Sequence, residues 1–109
     1  MASNAKLGVR WDHDGRRAER LDVQMQAALR PSGAKKFAVD VIDISSIGVG
    51  FGTAANLHIG DRVWLTVPGM AGLESHVVWR NGHRYGCEFI NAIHAAVLDH
   101  IVQHYRKKD

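Results

Sequence analysis

The sequence predicts a mainly β protein: a small six-stranded antiparallel β-barrel followed by one C-terminal α-helix. Three observations predict it. Short runs of strictly alternating apolar and polar residues recur along the chain, Gly, Pro and Asn punctuate them, and the apolar period changes from two to three or four only near the C-terminus. With 109 residues the chain can bury one core but not two. We divide it into a flexible N-terminal arm, residues 1–17, and a single domain, residues 18–109.

The first barrel strand is "RLDVQMQAALR", in which Leu21, Val23, Met25, Ala27 and Leu29 face one way and Asp22, Gln24 and Gln26 the other. Pro31, Ser32 and Gly33 then supply a turn, because Pro presets φ and Gly tolerates positive φ. A second strand runs from about Phe37 to Ile44 and leads into the glycines at 48, 50 and 52. "RVWLTV" alternates again until "PGMAG" breaks it. "LESHVVWRNGHRYGCEFI" reads as a hairpin, with Asn81 and Gly82 as the central pair of a type I′ turn. From Asn91, the expected N-cap, Ile93, Val97, Leu98, Ile101, Val102 and Tyr105 mark one face of a helix over about 92–106. Closing the strands into a barrel leaves no free edge for aggregation.

Composition narrows the function classes. Apolar residues make up 46% of the chain and charged residues 23%, which fits a folded globular protein. No apolar run approaches the ~18 residues that span a bilayer, so we expect no membrane insertion. The arm lacks an export signal's apolar centre, and the single Cys87 cannot form an internal disulfide; both point to a cytoplasmic protein. Eight of the 14 Lys and Arg lie in the first 36 residues. So local a surplus favours a compact anion over a long polyanion.

Two short patterns carry the chemistry. Arg16, on the arm, and Arg20, just beyond it, form RxxxR, and Asp43, Ser45 and Gly48 form DxSxxG at the end of the second barrel strand. Together, in this order and on this strand pattern, they resemble the PilZ domain family, and "HVVW" and "YGCEF" look like that family's late strand pair. The resemblance covers nearly the whole chain. It implies a bacterial receptor for the second messenger cyclic di-GMP that relays it to an effector protein. Arg16, Arg20, Asp43, Ser45 and Gly48 would bind the ligand, with Arg17 and Trp79 as further candidates.

Those residue types also suit the ligand on their own terms. Arg presents a planar fork to phosphate oxygens or to guanine O6 and N7. An Asp carboxylate accepts from guanine N1–H and the exocyclic amine, a donor pair that adenine lacks. Asp43 and Ser45, two apart, are expected on one face, and Gly48 lets a planar base approach the backbone. Gly50 and Gly52 extend that clearance or let the barrel wall bend. An arm with little apolar surface is expected to be mobile until ligand folds it onto the barrel.

Blander readings stand beside these. Arginines near a terminus commonly form a solvated patch, and Asp and Ser commonly form turns. Trp79 shares parity with Val77, so core packing competes with stacking on a base. Trp11 and Trp64 are expected at the surface. Among seven histidines, His100 and His104 stand at i and i+4, but without a third ligand no metal site is expected, and no cofactor. Cys87 alternates with core positions and reads as a small buried hydrophobe.

Three other functions compete: a PilZ-like protein-interaction module that binds no nucleotide, a small nucleic-acid-binding barrel, and a flavin-dependent split barrel. The second needs exposed aromatics along a basic groove, which the pattern does not supply, so nucleic acid is not an expected partner. For the third, no nucleophile, base and orienting residue assemble, and an enzyme is not expected.

Overall fold

Alternating strands of this kind bury one face each and must find partners for the other edge. The computed structural model describes residues 9–11 and 17–106, with side chains from Glu19 onward. Two short strands, β1 (Val9–Trp11) and β2 (Arg17–Glu19), pair antiparallel with each other. The remaining strands are β3 (Leu21–Pro31), β4 (Phe37–Ile44), β5 (Gly48–Gly52), β6 (Arg62–Thr66), β7 (Leu73–Asn81) and β8 (Arg84–Phe89). These six close into an antiparallel barrel in the order β3-β4-β5-β8-β7-β6, with β6 returning to β3. The expected fold class is thus the observed one.

The inward faces fill the barrel with Val, Leu, Ile and Phe side chains, among which Leu29, Ile44, Phe51, Val63 and Leu65 are fully buried. Tyr85 is also fully buried and stacks on Phe51 with ring centroids 5.8 Å apart. A buried hydroxyl is costly unless bonded. Tyr85 Oη accepts from Leu57 N at 3.1 Å and donates to Ala55 O at 2.9 Å, which also pins the loop between β5 and β6.

The helix α1 (Ala95–Tyr105) packs against β3 through Ile101, which is fully buried, and Val97, Leu98, Val102 and Tyr105, which are partly so. Its N-cap is His94 rather than the expected Asn91: the imidazole Nδ1 accepts from Ala96 N at 3.0 Å. An imidazole so placed satisfies one of the orphan amides that Asn would otherwise take. The β7–β8 turn also differs. Asn81 pairs with Arg84, so the loop is Gly82-His83, and only Gly82 has positive φ, at 62°. That is the pattern of type II′, which needs a left-handed residue at the first loop position alone.

Trp64, expected at the surface, is half-buried under Arg30, whose guanidinium stands 4.3 Å from the ring centroid. The side chain of Trp11 lies outside those described.

Two register shifts position the functional surface. Where β4 meets β5, Val41 stands opposite Phe51 and Asp43 opposite Gly50, leaving Ile42 extra. Where β7 meets β8, Val77 stands opposite Cys87 and Trp79 opposite Gly86, leaving Val78 extra. Because side chains alternate strictly along a strand, one inserted residue sends everything beyond it to the other face.

Candidate functional site

By parity Asp43 belongs with Val39 and Val41, both buried in the core. An unbroken strand would aim its carboxylate inward. The bulge at Ile42 turns Asp43 outward instead and gives the inner position to Ile44. Trp79 is corrected in the same way. It shares parity with buried Val77, but the bulge at Val78 places it on the outer face, lying on Gly86, where an added Cβ would collide with the indole ring. Core packing is therefore not its role.

On this outer face β5 offers backbone alone, at Gly48, Gly50 and Gly52. Arg20, in the single residue between β2 and β3, reaches across it. Its Nε and Nη2 both donate to Asp43 Oδ1, at 2.9 and 2.6 Å, and each side chain keeps 20% of its exposure. The pair sits over Gly50, where a Cβ would come within 2.5 Å of both partners. The Arg20 guanidinium also stands 5.7 Å from the Trp79 ring centroid, within cation–π range. Two donors on one oxygen leave Asp43 Oδ2 without a hydrogen-bond partner among the described residues.

Ser45 is 3% exposed and holds the turn between β4 and β5. Its Oγ accepts from Ile47 N at 3.2 Å and Gly48 N at 3.1 Å, and its own amide donates to Gly48 O at 2.8 Å. This is the turn-forming role open to Ser by its short hydroxyl. Gly48 is required for closure: a Cβ would lie 2.6 Å from the Cys87 carbonyl oxygen of β8. The same turn touches the helix entry, because Ile93 N donates to Ser46 O at 2.8 Å.

Arg20, Asp43, Ser45, Gly48 and Trp79 are thus brought together. Arg20, Ser45, Gly48, Trp79, Gly86 and Glu88 line a depression of about 30 Å³, and Arg20, Asp43, Gly50, Trp79 and Arg84 line another of about 10 Å³. Neither could enclose more than about a water molecule, so a ligand would lie across the surface. Arg16 lies outside the described residues, and of Arg17 only the backbone, in β2, is described. Sequence reasoning missed Gly86. A glycine interrupting the apolar run "YGCEF" was the available signal, since Gly within a strand marks close approach by another group.

The His100 and His104 rings lie 4.2 Å apart, centroid to centroid, on α1 and are tilted by 38°. Among the described residues no three His, Cys, Asp or Glu come together as a metal site would require. Burial pushes the Cys87 thiol up to about 12. Among the described residues no helix is long and apolar enough to cross a membrane.

The family model described as "PilZ domain" matches residues 14–107. Among solved structures, that of the Bacillus subtilis inhibitor of motility (MotI/DgrA) is similar, with a TM-score of 0.51 at 14% identity. The likeness covers 89% of this chain and 60% of that one, and at such low identity it concerns the fold. No curated protein matches the chain.

Proposed function

The chain belongs to the PilZ domain family, and from that premise we propose that it is a bacterial, cytoplasmic receptor for cyclic di-GMP rather than an enzyme. The observation that supports this most is the meeting of Arg20 and Asp43 beside Trp79 over a wall of glycines. Arg20 and Arg16 take phosphate oxygens or the guanine O6/N7 edge, with Arg17 beside them. Asp43 accepts from guanine N1–H and N2–H, Oδ2 being open while Arg20 holds Oδ1. Trp79, half-buried on the outer face, offers its ring for stacking. Ser45 and Gly48 fix the turn that presents Asp43.

Binding draws the arm against the barrel and so changes the surface offered to an effector protein. The link from Ser46 to Ile93 gives the same event a direct contact with the helix entry.

Calorimetric titration with cyclic di-GMP, with GTP and cyclic di-AMP as controls, tests the reading. Saturable binding of the first alone is expected; its absence would overturn the proposal. One observation favours a second reading, an interaction module without nucleotide. Arg20 and Asp43 already pair with each other, so each has a counter-charge without a ligand. The same titration separates the two.

A further inference from the structure

Beyond the Arg20–Asp43 pair lies a groove of about 560 Å³ bordered by Gln24, Gln26, Asp40, Ile42 and Arg84. Its volume falls in the range of roughly 300–1,000 Å³ that small-molecule sites occupy. The pairing of β3 with β4 is irregular alongside it: the span from Asp22 to Met25 on β3 faces the shorter span from Asp43 to Val41 on β4.

Arg84 and Ile42 line both this groove and the depression that holds Arg20 and Asp43. The two surfaces are therefore neighbours sharing a wall. Arg84 is exposed and has no ion pair or side-chain hydrogen bond among the described residues. Asp40 is exposed as well, and Gln26 Nε2 approaches its Oδ1 only at 3.4 Å.

Register sets the spacing. Asp40 and Arg84 both stand opposite Gly52, one from β4 and one from β8. Two inter-strand steps separate their backbones by about 10 Å. The gap between them is bare, since a Cβ on Gly52 would meet nothing nearer than His83 O at 3.8 Å. Along β5, Gly52 is two residues from Gly50, about 7 Å.

The geometry points to a second subsite, in which the groove takes the distal half of the guanine dinucleotide held at its other end by Arg20 and Asp43. Arg84 binds one of the two phosphates that join the halves, its fork placed to meet two oxygens. Asp40 accepts from the distal base, as Asp43 does from the first. The inference rests on the cyclic di-GMP reading and extends it to residues outside both sequence motifs.

Three variants test it by calorimetry with cyclic di-GMP, alongside the wild-type chain and thermal melts. Arg84→Ala removes the phosphate contact, and Gly52→Leu fills the gap without touching Arg20 or Asp43. Each should weaken binding about tenfold while leaving the fold intact. Arg62→Ala removes an equal charge from β6, diametrically opposite β5 in the ring, and should leave affinity unchanged. Wild-type affinity in both Arg84→Ala and Gly52→Leu would overturn the subsite while leaving the receptor reading intact. An equal loss in Arg62→Ala would also overturn it, by showing a long-range charge effect. Absence of binding by the wild-type chain would overturn the receptor reading and the subsite together.

Discussion

The Arg20 guanidinium and the Asp43 carboxylate meet directly above Gly50, with donor distances of 2.9 and 2.6 Å onto a single oxygen. The contact joins the residue just before β3 to the end of β4. Each of the two side chains retains 20% of its exposure.

A double-mutant cycle separates what this pair does for folding from what it does for binding. The side chains are partly solvated, so their coupling in stability should be below about 1 kcal/mol by urea unfolding. Arg20→Ala and Asp43→Ala should each weaken cyclic di-GMP at least tenfold, the loss of one charge-assisted contact. Arg16→Ala should weaken binding to the same degree. Unchanged affinity in all three variants would remove these residues from the site.

The glycines of β5 differ in what they permit. A methyl group at Gly48 would press 2.6 Å from a backbone carbonyl on β8, which cannot move without distorting the sheet. Gly48→Ala should cost about 1–3 kcal/mol in urea unfolding. Gly52→Ala meets no atom nearer than 3.8 Å and relieves a flexible residue within a strand. It should be neutral or stabilising by up to about 1 kcal/mol. Equal effects at the two positions would contradict the close β5–β8 approach.

The strands were legible because each carries its own alternation and each junction its own turn residue. Phe37 to Ile44 is one such run, and its ends match the sequence expectation. What alternation could not reveal is where it slips. Trp79 shares parity with buried Val77 and Asp43 with buried Val41, yet both stand on the outer face because an extra residue precedes each. A bulge is set by pairing with a neighbouring strand, so a single strand's sequence carries little trace of it. The helix cap failed for a related reason. Asn91 has the better capping side chain, but Ile93 N bonds Ser46 O and carries the chain past it, so the helix begins beyond His94.

Trp79 provides a direct optical test of the outward placement. Trp79→Ala removes a ring from the barrel's outer face, so it should cost less than the ~3–5 kcal/mol typical of a buried aromatic. Stacking of a base on an aromatic is worth about 1–3 kcal/mol, so cyclic di-GMP affinity should fall by roughly 5- to 150-fold. The tryptophan fluorescence change on titration should vanish with it. A severe loss of stability with unaltered affinity would place the ring in a structural role.

Cys87 yields a prediction about pH, because its thiol is raised to about 12 by burial alone. An unfolded chain releases that proton near the ordinary value of 9.0, whereas the folded barrel retains it. Stability from the retained proton is complete below pH 9 and is lost as pH rises from there toward 12. The slope should be about 1.4 kcal/mol per pH unit within that window. Urea unfolding of the wild-type chain against Cys87→Ala checks it: the variant starts lower for want of the buried sulfur, but its curve should lack this one-proton contribution. The folded wild type should also resist iodoacetamide at pH 8.5 and react once unfolded, since the thiolate is the nucleophile and the barrel suppresses it. Rapid alkylation of the folded protein would mean that the thiol is not enclosed beside Val77 and Val49, and the register of β8 against both its neighbours would have to be redrawn.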